Sequence, residues 1–334
     1  MKNIVGDASI LLTACRVANE RLLRRSRLAK HTRAERHFRD LLRLGLIEKP
    51  VAVTCAGRRD GPGAQLHAML STIAFCRACE IPYLHTPIRS AEHITSPDEL
   101  RQWESFLNLE RWNEVADLSA SEIVDLRDFV RTPLAFRQYI LAVESMHGFV
   151  NQQPSLYAPL SEQPMKQVAV NSSNDTTNAA IGVAVHIRRG DVSDNQNSNR
   201  FTGLDQIDRT LQSILETCEA FNMPCEVTVH SQGAPEDFSD LSACEPELNL
   251  NADPLRTLQA LAQADILVTA KSSFSYLAAL LSGGVVIYEP FWHQPMAHWL
   301  RADRDGRVRR EDLNDALREL PSLRHFLSLL DSRI

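Results

Sequence analysis

The stretch VAVHIRRGDV, residues 183–192, decides how this sequence is interpreted. Its first five residues alternate between branched apolar side chains and an alanine or histidine, a pattern typical of a central strand in a parallel sheet. Arg188 and Arg189 follow at the carboxyl end of that strand, where open α/β sheets bind their ligands. The strand pattern predicts an α/β fold. Because guanidinium groups hold phosphate oxygens by paired hydrogen bonds, the two arginines predict an anion site at the end of this strand.

The same stretch contains Arg189-Gly190-Asp191, the tripeptide that adhesive ligands display on exposed loop tips. Here the triplet is joined directly to a predicted buried strand, so anion binding is favoured over adhesion. Gly190 permits a sharp exit from the strand, and Asp191 can orient one of the arginines or cap the next segment. An adhesion module stays open as an alternative that partner-binding experiments would test.

Length, composition and charge narrow the class of protein. A chain of 334 residues indicates two domains of about 100–200 residues each. With 44% hydrophobic and 23% charged residues, the composition is that of an ordinary globular protein. The net charge of −6 offers no general attraction to nucleic acid. The one basic stretch, residues 21–39, is interpreted as an amphipathic surface helix in preference to a nucleic-acid or membrane-surface site.

Cysteine usage and the amino-terminal segment predict a cytoplasmic protein. The chain has seven cysteines, an odd and scattered set that argues against a disulfide framework. Cys76 and Cys79 form a CxxC pair inside an apolar run, and core packing is favoured over zinc because no second Cys/His cluster stands at ligand spacing. The first apolar run precedes its positive charges, the wrong order for a secretory signal. No uninterrupted apolar window reaches about 18 residues, so no membrane span is expected.

The first half of the chain predicts a βαβ unit. The pattern predicts a strand at residues 51–55, a glycine-rich turn at 57–63, a helix at 64–81 and a second strand at 82–88. The turn lacks the GxGxxG spacing of a dinucleotide site. Residues 97–150 are predicted to be mostly helical, and the polar stretch 151–180 is predicted to contain the interdomain linker.

The second half repeats the alternation of strand and helix. Strands are predicted at residues 181–187, 226–230, 265–269 and 285–288. Helices are predicted at residues 204–221, 254–263, 275–281 and about 310–330. We therefore expect an α/β fold with two Rossmann-like βαβ domains facing a central cleft, where a ligand would bind. The expected divisions are a helical segment at residues 1–48, an acceptor-side domain at 49–165, a linker at 166–180, a nucleotide-binding domain at 181–310 and a terminal helix at 311–334.

A second group of polar residues lies in the stretch KSSFSYLAALLSGG, residues 271–284. Ser272, Ser273 and Ser275 precede or open an apolar helix. Hydroxyls and free backbone N–H groups at a helix N-terminus form an anion site, although a simple serine N-cap explains the same pattern. Together with Arg188 at a neighbouring strand end, a pyrophosphate site is the better explanation.

Two further positions are weaker candidates for nucleotide contacts. His230, Ser231 and Gln232 follow a predicted strand, where they can contact a base or ribose or simply form a polar turn. Asp253 stands just before a predicted helix. It can pair with the Watson–Crick edge of guanine, but an N-cap is the favoured interpretation.

The blocks quoted above resemble a known family. HIRRGD resembles the HxRR(G/T)D motif of the α1,2-, α1,6- and protein O-fucosyltransferase superfamily, and the 271–284 block resembles its Ser-Ser/Thr-Phe motif. The block GRRDGPGAQLHAMLSTIAF, from residue 57, is similar to the opening of the family's first domain. The order of the blocks agrees over about residues 50–300. The resemblance implies a GT-B glycosyltransferase that uses GDP-fucose, inverts the anomeric centre and needs no metal or other cofactor.

The resemblance also implies roles for individual residues. Arg188 would neutralise the β-phosphate of the leaving GDP, His186 would lie near the sugar and phosphates, and Asp191 would orient Arg188. Ser272, Ser273 and Phe274 would line the pyrophosphate and nucleoside. Position in the sequence, without the resemblance, adds further candidates for nucleotide and pyrophosphate contacts: Arg189, His230, Ser231, Gln232, Asp253 and Ser275. By the resemblance, Gln65 and the nearby Gly61 and Gly63 would face the donor sugar or acceptor, and position in the sequence adds Asp60, His85 and His93 to that side.

Several points stay open at the level of sequence. The general base is drawn from Asp60, His85, Glu92 and His93. The acceptor can be a glycan, a protein, a lipid or a small metabolite, and the oligomeric state is not readable. Two alternatives to fucosyl transfer are another donor, such as GDP-mannose or a UDP-sugar, and a catalytically silent nucleotide-binding protein.

Overall fold

The computed structural model describes residues 27–92, 94, 96–115, 122–133, 138–160 and 180–320, with side chains from residue 31 onward. The chain divides into two compact units, Met1–Tyr157 and Ala158–Ile334. Each unit is built on its own parallel sheet, which confirms the predicted α/β class. Across the described residues, none of the helices combines the length and apolar character needed to cross a membrane.

The first unit holds a four-stranded parallel sheet. Its helices are α1 Arg27–Arg43, α2 Pro62–Cys79, α3 Pro97–Leu107, α4 Leu126–Phe129 and α5 His147–Val150. Its strands are β1 Ala52–Cys55, β2 Tyr83–Leu84, β3 Glu122–Asp125 and β4 Tyr139–Val143, in the spatial order β2-β1-β4-β3.

Helix α2 forms the centre of the first unit. Pro62 opens it, where a missing backbone N–H costs nothing, and Glu80 ends it in the left-handed conformation. Residues 63–76 have small and apolar side chains nearly throughout, and almost all of them are buried. Helix α1 packs beside α5. Although most of its side chains are polar or basic, its Phe38 is completely buried. This agrees with the predicted amphipathic helix over the residues that the structure describes.

One prediction for the first unit was wrong. Residues 97–150 were expected to be mostly helical, but they contain strands β3 and β4. The five residues of β4 form an apolar run that is buried on both faces of the sheet, between β1 and β3. Such a run has no alternation in its sequence, so periodicity cannot separate it from a segment of buried helix.

The second unit holds a six-stranded parallel sheet. Its strands are β5 Ile181–His186, β6 Cys225–Ser231, β7 Glu247–Leu250, β8 Ile266–Val268, β9 Val285–Tyr288 and β10 Leu300–Arg301. Its helices are α6 Leu204–Ala220, α7 Pro254–Gln263, α8 Ser273–Leu281 and α9 Arg310–Arg318. The predicted helix 254–263 and the predicted strand 285–288 coincide with α7 and β9, while β7 and β10 were missed.

The two faces of this sheet are covered by different helices. Val183, Val185 and Ile187 share one apolar cluster with residues of α6 and α9. The opposite face carries the alternate side chains, and there His186 lies against Phe274 of α8. The period of two along β5 therefore places His186 and the α8 N-terminus on the same side of the sheet.

Candidate functional site

The spatial order of the second sheet defines a ligand position. The strands run β10-β9-β8-β5-β6-β7, so the chain builds outward from β5 through β6 and β7, then returns to the other side of β5 with β8. This is the doubly wound order in which ligands bind at the carboxyl ends of the two strands where the direction reverses. Arg188 follows β5 and Ser272 follows β8, so both lie at that reversal.

Arg188 is held at this position by two neighbours. Its Nη1 donates to Ser272 Oγ at 3.0 Å, and its Nη2 donates to Asp191 Oδ2 at 2.7 Å. The side chain keeps a quarter of its surface exposed. A guanidinium fixed from two directions, with part of its surface open to solvent, is suited to binding an anion.

Ser272 joins the arginine to a helix. It is buried and is the N-cap of α8, where its Oγ accepts from the backbone N–H of Phe274 at 3.2 Å as well as from Arg188. The first turn of a helix has N–H groups without helical partners, and the helix dipole places partial positive charge there. The sequence prediction of an arginine beside a serine-capped helix thus describes an observed contact.

The other two serines of the motif are turned to internal partners. Ser275 Oγ accepts from the backbone N–H of Ala270 at 2.8 Å and is fully buried. Ser273 Oγ lies 3.1 Å from His293 Nε2, which also accepts from Trp292 Nε1 at 3.0 Å. These bonds stabilise the turn between β8 and α8. The groups at this helix that are left to face an anion are therefore the backbone N–H groups and Arg188 more than the hydroxyls.

Asp191 and Gly190 shape the exit from β5. Burial acts to raise the pKa of Asp191, but the hydrogen bond and the charge of Arg188 outweigh it, so the pKa lies below its usual value. The carboxylate is thus kept ionised beside the guanidinium. Gly190 has φ +83, a backbone conformation that residues with a side chain rarely adopt. This explains a glycine at this turn.

Arg189 does a different job from Arg188. Its Nη1 donates to the carbonyl of Arg188 at 3.0 Å, its Nη2 donates to the carbonyl of Thr202 at 3.1 Å, and its guanidinium lies 4.5 Å from the ring centroid of Phe201. The structure thus uses Arg189 to hold the loop before α6 against the end of β5. In this arrangement its donors serve the protein's own carbonyls.

His186 is an uncharged member of the site. Burial, followed by the positive charges of Arg188 and His230, lowers the pKa of His186 to about 3. Its ring centroid lies 5.4 Å from that of Phe274. His230 pairs with His186 in the sheet register, is buried, and has a pKa lowered mainly by burial. At neutral pH both rings can act through hydrogen bonds but not through charge.

The remaining nucleotide-side candidates occupy turns. Ser231 Oγ donates to the carbonyl of Ile187 at 2.7 Å, which ties β6 to β5 beyond their last strand pair. Gln232 is exposed above Gly190. Asp253 is exposed and caps α7 by accepting from the backbone N–H of Arg256 at 2.8 Å, as the favoured interpretation predicted.

The candidates in the first unit lie at the carboxyl ends of β1 and β2. Asp60 pairs with Arg58. Gln65 is buried, and its Nε2 donates to the carbonyls of Asp60 and Ser90 at 2.7 and 2.9 Å, bracing the glycine-rich turn. Gly61 is the N-cap of α2 without a side-chain cap. These contacts show how the turn is held.

Of the histidines predicted for the first unit, the structure describes His85. Its Nε2 lies 2.8 Å from Glu104 Oε2, and Glu104 Oε1 accepts from the backbone N–H of Ile88 at 2.6 Å. A carboxylate therefore fixes the orientation of this imidazole. His93 lies outside the described residues.

Sequence reasoning missed an ion pair at the edge of the site. Lys271 Nζ lies 3.2 Å from Glu289 Oε1 and donates to the carbonyl of Phe201 at 3.0 Å. Burial raises the pKa of Glu289, although Lys271 opposes this shift. A lysine before the serines and a glutamate after β9 were visible in the sequence, but only the adjacency of β8 and β9 makes them partners.

Neither a protein-family model nor a curated protein matches the chain. Solved structures similar to it include the α-1,6-fucosyltransferase NodZ co-crystallized with GDP, at 12% identity over 70% of this chain and 93% of that one, with a TM-score of 0.33. The E. coli heptosyltransferase WaaC with ADP-2-deoxy-2-fluoro heptose matches at 12% identity over 85% and 100% of the two chains, with a TM-score of 0.39. The glycotransferase of kitacinnamycin matches at 14% identity over 85% and 94%, with a TM-score of 0.34.

Proposed function

We propose that this protein is a glycosyltransferase whose second unit binds a nucleotide-sugar donor by its diphosphate, with GDP-fucose as the donor. The observation that supports this most directly is the hydrogen bond between Arg188 Nη1 and Ser272 Oγ, at the point where the strand order of the sheet reverses. It joins a partly exposed cation to a helix N-terminus, and the two are complementary to a diphosphate.

The local geometry favours this ligand over a dinucleotide cofactor. Dinucleotide sites place the first helix directly after the first strand, across a glycine-rich turn. Here β5 is followed by two arginines, and α6 begins only at Leu204. The helix N-terminus at the strand reversal belongs to α8 instead, with Arg188 beside it. The phosphate contacts are therefore supplied by a charged side chain and a helix end together.

The chemistry of glycosyl transfer needs such a site. The acceptor oxygen forms a bond to the anomeric carbon as the bond from that carbon to the diphosphate oxygen breaks, and the electron pair leaves with the diphosphate. The acceptor hydroxyl loses its proton to a base, and attack on the face opposite the leaving group inverts the centre. Arg188 and the α8 N-terminus would stabilise the charge that develops on the diphosphate, without a metal.

His186 would contribute to donor binding without charge. Because its pKa is about 3, the ring is neutral at physiological pH. It would orient phosphate or sugar oxygens by a hydrogen bond, while Arg188 supplies the positive charge. Phe274, which packs against His186, would give the nucleoside an apolar contact.

Calorimetric titration with GDP, GDP-fucose, GDP-mannose, UDP and UDP-glucose in EDTA tests the proposal. We expect binding of GDP and GDP-fucose that Arg188→Ala weakens by roughly 100-fold or more, from the ~3–4 kcal/mol of one such charge contact. Arg188→Lys should restore only part of it, since lysine lacks the planar fork. Arg309→Ala removes an exposed arginine with the same change in net charge and should bind like the parent.

The donor panel also separates the alternatives. Binding of UDP or GDP-mannose in preference to GDP-fucose would replace the donor but keep the site. Binding of GDP-fucose without transfer or slow hydrolysis would indicate a silent binding protein. Absence of any nucleotide binding, or equal binding by Arg188→Ala and the parent, would refute the proposal.

A further inference from the structure

The loop between β5 and α6 brings a further arginine to the candidate site. Residues 194–199, DNQNSN, are polar throughout, and Arg200 follows them. Asn197 adopts the left-handed conformation at φ 52, which asparagine tolerates better than most residues. Its Nδ2 donates to the carbonyl of Asp191 at 2.8 Å, and its own carbonyl accepts from the backbone N–H of Arg200 at 2.8 Å. The asparagine thereby folds the loop back and keeps Arg200 near Asp191.

The order of the strands brings this loop beside α8. Strand β8, which leads into α8, lies between β5 and β9 in the sheet. Arg200 stands in the loop after β5, and Trp292 stands in the loop after β9. The guanidinium of Arg200 lies over the Trp292 ring, 4.7 Å from its centroid. The loops on both sides of β8 therefore meet at the edge of the sheet where α8 begins.

Trp292 is tied to the first turn of α8. Its Nε1 donates to His293 Nε2 at 3.0 Å, and Ser273 Oγ lies 3.1 Å from the same nitrogen. His293 is buried, whereas Trp292 itself is exposed. The indole thus stands beside the helix N-terminus, with the guanidinium of Arg200 on its ring.

A second contact joins the loop to the same helix. Lys271 Nζ donates to the carbonyl of Phe201 at 3.0 Å. Phe201 directly follows Arg200, and Lys271 directly precedes Ser272, the N-cap of α8. Arg200 is therefore connected to the start of α8 from two directions, through Trp292 and through Phe201.

Arg200 also acts through space on the pair that Arg188 forms with Asp191. Burial acts to raise the pKa of Asp191, but the hydrogen bond and charge of Arg188, followed by the charge of Arg200, hold the pKa below its usual value. Exposed charges are screened from one another over about 8–10 Å at ordinary salt. The effect of Arg200 on this carboxylate therefore agrees with a position close to Arg188.

The other cations at this edge of the sheet are balanced by carboxylates. Arg188 pairs with Asp191 at 2.7 Å, and Lys271 pairs with Glu289 at 3.2 Å. The helix N-terminus adds only about half of a positive charge. A diphosphate that links a nucleoside to a sugar carries one negative charge on each of its two phosphate groups. A further cation at the start of α8 would thus be complementary to the second phosphate.

We propose that Arg200 is a second phosphate-binding arginine of the second unit and that Trp292 positions it. This inference rests on the proposed function, because the ligand is the same diphosphate. Arg188 and the α8 N-terminus bind one phosphate group, and Arg200 binds the other. A guanidinium whose flat face packs on an indole has its N–H groups at the edge of its plane, where they donate to phosphate oxygens. The polar loop 194–199 serves to present Arg200 to the ligand.

Calorimetric titration with inorganic pyrophosphate, inorganic phosphate and GDP in EDTA tests the role of Arg200. Pyrophosphate engages both arginines, whereas a single phosphate is held at Arg188 and α8. Arg200→Gln should weaken pyrophosphate and GDP binding about 10- to 30-fold and change phosphate binding by less than about 2-fold. Arg200→Lys keeps the charge without the planar fork and should recover part of the loss. Arg309→Gln makes the same change in net charge at an exposed position and should bind all three ligands like the parent.

A double-mutant cycle tests whether Trp292 acts through Arg200. Trp292→Leu removes the ring and should weaken pyrophosphate binding about 2- to 5-fold, the size of one exposed cation–π contact. Trp292→Phe keeps an aromatic face and should recover most of the affinity. In the Arg200→Gln background, Trp292→Leu should have no further effect, because the residue that it positions is gone. Equal losses in both backgrounds would show that the tryptophan acts on α8 through His293, which would overturn its positioning role.

The outcomes for Arg200 separate this inference from the proposed function. GDP binding that requires Arg188 but is equal in Arg200→Gln and Arg309→Gln would overturn the second arginine and keep the diphosphate site. Equal losses of phosphate and pyrophosphate affinity in Arg200→Gln would also overturn it, since both arginines would then hold the same phosphate. Pyrophosphate binding that depends on Arg200, in a protein that does not bind GDP, would keep the arginine and reject the nucleotide donor. Absence of binding by any of the three ligands would reject both.

Discussion

Replacement of Ser272 by alanine would break two contacts at once, and the structure allows their sizes to be worked out. Ser272 Oγ caps α8 through the N–H of Phe274 and accepts from Arg188 Nη1 at 3.0 Å. Loss of the cap costs about 1 kcal/mol. Loss of the bond to a charged donor costs about 1–2 kcal/mol, at the low end of its usual range because Arg188 is partly exposed and water can replace the serine.

The free energy of unfolding of the second unit should therefore fall by about 2–3 kcal/mol, which lowers Tm by about 4–12 °C for a unit of this size. The affinity for GDP should fall about 10-fold, equivalent to 1.4 kcal/mol, because the guanidinium loses one of its fixed neighbours. Urea titration measures the first effect, and calorimetric titration with GDP measures the second.

Thr217→Ala provides the matched control for a loss of stability alone. Thr217 is fully buried near the end of α6, and its hydroxyl donates to the carbonyl of Ser213 at 2.7 Å. The variant should lose about 1–2 kcal/mol of stability and leave GDP affinity unchanged. Equal losses of GDP affinity in Ser272→Ala and Thr217→Ala would show that the serine acts only through stability, which would refute the reasoning.

Three further outcomes are expected. Arg189→Ala should lower the free energy of unfolding of the second unit by about 1–2 kcal/mol, because it frees the loop before α6. A urea midpoint equal to that of the parent would contradict this role. Gly190→Ala should cost about 1–2 kcal/mol, since alanine is strained at φ +83; an unchanged melting curve would contradict it. Burial acts to lower the pKa of His31, but Glu35 outweighs it and the pKa is raised, so this pair stabilises the first unit fully below about pH 6.5 and progressively less as pH rises through the higher folded pKa. The pH dependence of Tm should show this decline above pH 6.5, and His31→Gln should abolish it.

Much of the fold could be predicted because the signals are local. The second half alternates strands and helices with clear periods, and α7 begins at an Asp-Pro pair in which aspartate caps the helix and proline occupies its first turn. Strands such as β7 and β10 were missed because they are short and only partly buried, so their formation depends on the neighbouring strand that accepts them. Strand β4 was missed for the opposite reason, since a strand buried on both faces has no alternation.

The candidate site divides in the same way. Arg188 and the serine cap of α8 were predicted, because a charged residue after an apolar strand and a serine before an apolar helix are signals within a few residues of sequence. The different role of Arg189 could not be predicted. Two adjacent arginines have the same chemistry, and only the fold decides which one reaches Ser272 and which one reaches the carbonyl of Thr202.

The sequence by itself determined the α/β class, the strand that ends in two arginines and the serine-capped helix, because each depends on local periodicity and capping chemistry. Only the tertiary structure decided that β5 and β8 are neighbours, and thereby that Arg188 meets Ser272 and Lys271 meets Glu289. The physical reason is that strand order is set by packing between segments far apart in the chain. Eighty-four residues separate the arginine from the serine, and no local pattern spans that distance.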